Sequence, residues 1–270
     1  MKITIFTSNN TRHNYYINLL TNYCSELFVI QECMTKFIGK KKDYYKKSKI
    51  MEKYFSYVDA AQEKIFSGDY VKYNKKCKIN FLSMPMGDLS YYNLNKLKDF
   101  LKSDLYLVFG ASFIKGDLIN FLQKKKAINI HAGISPYYRG CDCNFWALYE
   151  RQFHLVGTTI HYLTKGLDSG PILYHAVSEF HSNPFMFSMS SIKSAFFSIV
   201  KKIKTKEIFK LKSTKQNNLL EIKYSRKDDF NDFVTRAFLN KFKKEKIKKV
   251  NLDRSVLKDV FILSKNNFYK

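Results

Sequence analysis

The chain has 270 residues, 45% of them hydrophobic, which is enough for one core of ordinary size with or without a small appendage. Only 4 prolines and 10 glycines exclude a collagen-like or Gly/Pro-rich disordered chain. Against 23 Asp and Glu stand 47 Lys and Arg, a formal net charge of +24. Such a field draws anionic partners, yet the lysines are spread along the whole chain, as on solvated helix faces, rather than gathered into one nucleic-acid-binding patch.

The five cysteines (Cys24, Cys33, Cys77, Cys141 and Cys143) are odd in number and match no zinc spacing, so reduced thiols and no metal site are expected. The apolar stretch at the N-terminus is too short for a signal peptide, and no run reaches the roughly 18 apolar residues of a membrane span. These features predict a soluble cytoplasmic protein with no membrane partner.

In chain order, residues 2–7 read as a buried strand, and Ser8 to Thr11 as turn and cap residues. A helix follows from about Arg12 to Tyr23, then a strand from Leu27 to Ile30. This strand, loop, helix and strand open a doubly wound α/β fold. Residues 36–75 are rich in Lys and Tyr, and the helical period of Tyr54, Tyr57, Val58, Ala61 and Ile65 predicts a helical insertion. Strand character returns at 78–82, a helix is expected over 90–102, a buried strand from Leu105 to Phe109, and a helix from Ile114 to Gln123. Next come a strand from Ala127 to His131, an irregular loop to Cys141, a helix from about Asn144, strands at 157–163 and 171–177, and a helix near 186–202. The expected architecture is a Rossmann-like, mostly parallel sheet in a catalytic domain of residues 1–210, with a small C-terminal appendage over 211–270.

Asn129 and His131, two apart at the end of a strand, point to one face. They offer an amide donor for a developing oxyanion and a base near neutral pH, the parts needed for acyl transfer. Asp168, in a Gly-bounded loop between two strands, could orient His131 or relay its proton. Each motif alone is as readily a satisfied polar pair or a turn; together their order and spacing point to a site. His161 reads as a buried structural histidine, His154, His175 and His181 suggest no partners, and Cys141 and Cys143 read as small packing residues.

Four motifs then carry a resemblance: Asn129-Ile-His131, Tyr138-Arg139-Gly140, Gly157-Thr-Thr-Ile-His161 and Asp168-Ser-Gly170, with 37 positions from His131 to Asp168. Over roughly residues 100–180 the chain resembles the 10-formyltetrahydrofolate-dependent formyltransferases. The resemblance implies Asn129, His131 and Asp168 as the catalytic trio, with Asn129 donating to the oxyanion, and 10-formyltetrahydrofolate as co-substrate. It places the folate against Gly110, Ala111, Ser112, Phe113 and Ile114, with Gly166 and Leu167 closing over it. Many members of the family have Pro after the histidine, where this chain has Ala132-Gly133.

Length and the modest tail make the chain most like the sugar N-formyltransferases, which implies a nucleotide-linked amino sugar as partner. Asn9, Arg12, Tyr137, Tyr138 and Arg139 are then the candidates for substrate binding, with Trp146 equally suited to the core. Methionyl-tRNA and glycinamide ribonucleotide are alternative acceptors, and a formyltetrahydrofolate hydrolase or an idle binding module is the alternative class. The tail could also form a homodimer contact.

Overall fold

The computed structural model describes residues 1–34, 48–66, 73–243, 247 and 251–268. Its elements are β1 (Lys2–Ser8), α1 (Thr11–Leu20), β2 (Glu26–Cys33), α2 (Lys49–Ile65), β3 (Lys78–Pro85), α3 (Leu94–Leu97), β4 (Leu105–Phe109), α4 (Gly116–Lys124) and β5 (Ile128–His131). They continue with β6 (Tyr138–Gly140), α5 (Cys143–Tyr149), β7 (Thr158–Tyr162), β8 (Ile172–Ser178), α6 (Pro184–Lys204), β9 (Lys223–Ser225), α7 (Asp232–Lys243) and β10 (Phe261–Leu263).

Eight strands form one sheet in the order β10-β8-β7-β5-β4-β1-β2-β3. Among the described strands of this sheet, only β7 runs against its neighbours. β1 and β4 are buried along almost their whole length, as strands covered on both faces must be. Alternation divides their side chains. Ile3, Ile5, Leu107 and Phe109 pack with Tyr16 and Leu20 of α1 and Ile192, Phe196 and Ile199 of α6. Phe6, Tyr106 and Val108 face Leu118, Ile119 and Leu122 of α4 on the other side. The chain winds outward from β1 to β3 and returns to β4 on the far side of β1. This reversal makes a crevice at the carboxyl ends of β1 and β4, where doubly wound sheets bind ligands.

The long α6 has the signals its length requires. Asn183 accepts from the backbone N–H groups of Phe185 and Met186, Pro184 begins the helix, and three lysines close its last turn. Of the insertion expected at 36–75, residues 48–66 and 73–75 are described, and they hold α2, capped by Ser48 and buried through Met51, Tyr54, Ala61, Gln62 and Ile65. The flanking segments 35–47 and 67–72 lie outside the described residues.

Two local expectations need correction. The helix expected over 90–102 is reduced to a 3-10 turn at Leu89–Tyr91 and the single turn α3. Tyr92 is extended there, and the Asn93 side chain caps Asn95, so the helix cannot begin before Leu94. The loop Ala132–Cys141 contains β6, which pairs in parallel with β9, some 85 residues further on by the register Tyr138 to Lys223. The residues after 210 contribute β10 to the edge of the main sheet beside β8. They also supply Phe230 and Phe238 to an aromatic cluster with Tyr54, Phe145 and Trp146.

Candidate active site

β5 and β7 build the centre of the site. Asn129 and His161 are direct cross-strand partners, so their side chains leave the sheet on one face and meet, Asn129 Nδ2 lying 3.0 Å from His161 Nε2. His161 Nδ1 faces the Tyr162 carbonyl at 2.8 Å and so carries the proton, which leaves Nε2 to accept from Asn129. The second N–H of Asn129 donates to Asp168 Oδ1 at 3.3 Å. Both donors of the amide are therefore engaged, and Asn129 is a bridge between His161 and Asp168. The free oxyanion donor expected from the sequence is not present in this arrangement.

Asp168 reaches the same point from the loop after β7, with its backbone in the left-handed region at φ 48°. Its Oδ2 lies 3.3 Å from His131 Nδ1 and accepts from the Gly140 N–H at 3.3 Å. Burial alone would raise the carboxyl, but the His131 charge, His161 and the Gly140 N–H together hold Asp168 below its ordinary value. Burial lowers His131, an effect that Asp168 only partly opposes. The other ring nitrogen, His131 Nε2, faces the Tyr138 carbonyl at 3.2 Å. The imidazole is thus a neutral base whose next proton has an acceptor waiting.

The loop that follows β5 is fixed by the Gly-Thr-Thr-Ile-His strand. Thr159, the cross-strand partner of His131, donates to the Gly133 carbonyl at 2.6 Å and accepts from the Ser135 N–H at 2.8 Å.

Two clefts meet at this centre. The first, about 310 Å³, is lined by Asn129, His131 and Asp168 and by all seven residues expected to hold a folate: Gly110, Ala111, Ser112, Phe113, Ile114, Gly166 and Leu167. At Gly110, φ 68°, an added Cβ would collide with the ring of His13, a residue that also lines the cleft and escaped notice in the sequence. The second cleft, about 470 Å³, shares His131, Ala132, Gly140, Arg12 and Ile192 with the first and extends between α2, α5 and α6.

The expected substrate-binding residues divide. Arg12 lies at the junction of both clefts, its guanidinium donating to Gln62 at 2.7 Å. Asn9 instead ties the first loop to Met34, accepting from its N–H and donating to its carbonyl, and its neighbour Asn10 lines the cleft. The Tyr138 ring is buried, with its hydroxyl on Glu150 at 2.7 Å, and Tyr137 lines neither cleft. Arg139 clamps the Asp168 loop, donating to the Leu167 carbonyl at 3.0 Å and to Glu221 at 2.9 Å. Trp146 belongs to the core, with Lys223 over its ring. Burial raises the thiols of Cys141 and Cys143, which leaves neither as a thiolate nucleophile.

Two further residues have no local sequence signature. Glu32, fully buried at the end of β2, holds Ser112 of the first cleft. Gln216 donates to the carbonyls of Asp168 and Gly170 at 2.8 and 2.7 Å.

Residues 93–183, which contain the whole Asn129, His131 and Asp168 cluster, match the family described as formyl transferase. This segment belongs to the formyl transferase family. A bifunctional polymyxin resistance protein, ArnA, from Wigglesworthia glossinidia brevipalpis is 33% identical over 117 residues, covering 43% of this chain and 17% of that relative. The chain thus spans about a sixth of the length of this curated relative. Among solved structures, a 4-N formyltransferase from Francisella tularensis superposes with a TM-score of 0.53 at 21% identity, covering 85% of this chain and 77% of that one. An N-formyltransferase from Helicobacter canadensis does so with a TM-score of 0.50 at 16% identity, covering 93% and 85%. At these identities the likeness is one of fold, and it extends the formyl transferase architecture well beyond the matched segment.

Proposed function

We propose that the protein transfers the formyl group of 10-formyltetrahydrofolate to the amino group of a nucleotide-linked amino deoxysugar. The observation that carries this reading is that two clefts meet at His131. The first suits a flat heteroaromatic ring, with backbone groups of Gly110 to Ser112 on one side and Phe113, Ile114 and Leu163 as apolar wall. The absence of a Cβ at Gly110 lets that loop pack directly against the ring of His13, which lines the same cleft.

The second cleft favours a transferase over a hydrolase. A hydrolase needs the first cleft and a water. Here a larger cleft opens on the other side of His131, walled by Tyr54, Phe55, Phe145, Phe185 and Phe238, with aromatic surface for a base and a sugar ring. The Helicobacter canadensis protein is described in complex with folinic acid and dTDP-3-aminofucose, which supports this choice of acceptor.

When bound, the folate supplies an electrophilic formyl carbon. His131, neutral through burial, takes a proton from the attacking amine. Asp168 accepts from His131 Nδ1 and stabilises the charge that the ring gains, while the Tyr138 carbonyl accepts a hydrogen bond from the N–H formed at Nε2. Asn129, itself held by His161, keeps the Asp168 carboxylate aimed at the ring.

The test is a panel of nucleotide-linked 3- and 4-amino deoxysugars, methionyl-tRNA and glycinamide ribonucleotide, each offered with 10-formyltetrahydrofolate. Folate release that depends on an amino sugar is the expected result. Release at the same rate with no amine present would make the enzyme a hydrolase.

A further inference from the structure

The second cleft contains two buried polar groups that His131 and Asp168 chemistry does not use. Asp142 and Asn144 both line it. Asp142 Oδ2 and Asn144 Nδ2 are buried and have no hydrogen-bond partner among the described residues. Asn144 is 4% exposed, and its other amide atom, Oδ1, accepts from the Gly157 N–H at 2.9 Å, which fixes the orientation with Nδ2 left over. Two residues that line one cleft, two positions apart, therefore carry one unpartnered acceptor and one unpartnered donor. Burying such groups without partners is costly, so a ligand that supplies both partners recovers that cost.

The groups around Asp142 define what it would bind. They are Arg12 from α1, Asp59 from α2, Lys227 from the turn after β9, the neighbouring Cys141 and Cys143 thiols, and His131 across the cleft. Arg12 already donates to Gln62, and its charge is shared between Asp59 and Asp142.

We propose that Asp142 and Asn144 are the residues that read the acceptor: the Asp142 carboxylate receives the amine as its ammonium ion and takes one proton, and the Asn144 amide donates to an oxygen beside that amine. This rests on the formyl-transfer reading and adds the means by which the amine is deprotonated before attack. An ammonium has no lone pair. Of its three N–H protons, one passes to Asp142, leaving the lone pair that forms the new C–N bond. A second passes through His131 to the folate nitrogen as its C–N bond to the formyl group breaks. The third stays on the product amide, and Asp142 returns its proton to water. Burial raises Asp142 to about 6, which suits a group that must accept a proton and release it again near neutral pH.

The test uses the full chain and the panel member that the wild type formylates. Asp142→Asn keeps the size and suits the left-handed backbone at φ 54°. Asn144→Asp keeps the oxygen that holds Gly157 and removes the donor. Each is expected to raise the acceptor KM at least tenfold while folinic acid binds as it does to the wild type, since neither residue lines the first cleft. In the wild type, kcat/KM for the acceptor should rise with pH through about 6, where Asp142 ionises. In Asp142→Asn that limb should move up toward the amine's own pKa, so that the deficit shrinks in alkali. If Asp142→Asn fails to bind folinic acid, Asp142→Gly, which the same φ favours, replaces it. Wild-type acceptor KM and pH profile in variants that bind folinic acid normally would overturn the proposal and leave formyl transfer standing. No turnover of any amine by the wild type would overturn formyl transfer, and this inference with it.

Discussion

Glu32 and Ser112, 80 residues apart, are joined twice: Oε2 accepts from the Ser112 N–H at 2.6 Å and Oε1 from its hydroxyl at 2.7 Å. The same Oε1 accepts from the Gly87 and Leu89 N–H groups, at 2.9 and 3.3 Å. One buried carboxylate thereby sets the backbone of the first cleft. Glu32→Gln must turn an amide N–H toward donors that need an acceptor. We expect the folinic acid dissociation constant to rise at least tenfold, and stability to fall by roughly 2–3 kcal/mol, the scale of a hydrogen bond to a buried charged group. Titration calorimetry and denaturant unfolding measure the two effects. Unchanged folinic acid affinity would show that the cleft does not depend on this tie.

Gln216 plays a related part for the Asp168 loop. Its Nε2 donates to both the Asp168 and the Gly170 carbonyls, while its Oε1 has no partner among the described residues. Gln216→Leu leaves two buried carbonyls without donors and frees the loop that places the carboxylate. The expected outcome is a loss of about 1–2 kcal/mol of stability and a fall in kcat with little change in acceptor KM, because Gln216 does not line the second cleft. Steady-state kinetics with acceptor and folate varied separately check this split.

The pair of His131 and Asp168 makes a prediction about pH. Asp168 raises the His131 pKa, against the larger lowering by burial. Removing the charge in Asp168→Asn should lower His131 further. The acid limb of the folate kcat/KM profile, set by the need for neutral His131, should therefore move to lower pH as kcat drops by at least about a hundredfold, within the range for positioned acid–base groups. A limb that moves upward, or does not move, would show that the ring is not the base.

What the sequence revealed of this site, and what it concealed, follows from distance along the chain. Asn129 and His131 are neighbours on one strand, and Asp168 sits in a short loop marked by glycines, so strand periodicity and motif order were enough to find them. The loop from Gly110 to Ile114, which lines the first cleft, was legible because it directly follows an unbroken apolar strand. Glu32, Gln216 and β9 act on residues 80, 48 and 85 positions away, and no local pattern encodes such a partner. Tyr138 misled for the opposite reason. In an irregular loop no periodicity separates inward from outward residues, so an aromatic next to the catalytic strand looked like a stacking surface, although its ring fills the core.

His175 gives a stability prediction independent of the chemistry. It lies on β8, buried, between two fixed partners: the Lys258 N–H donates to Nδ1 at 2.8 Å, and Nε2 donates to the Ser135 carbonyl at 3.0 Å. A proton added at Nδ1 would face the Lys258 N–H. Burial accordingly lowers the folded pKa to about 4, against about 6.5 in the unfolded chain. Between these values the unfolded state binds more protons, so stability must fall as pH drops from 6.5 toward 4 and is unaffected by His175 above that window. The difference corresponds to roughly 3 kcal/mol once pH is below both values. His175→Gln can keep an acceptor toward Lys258 and a donor toward Ser135 but cannot titrate. We expect it to be less stable than the wild type by about 1 kcal/mol at pH 7.5, and to lose less stability on going to pH 4.5. Because the other buried histidines titrate in both proteins, the difference between the two denaturation curves isolates His175, and parallel losses with pH would show that its protonation is not linked to unfolding.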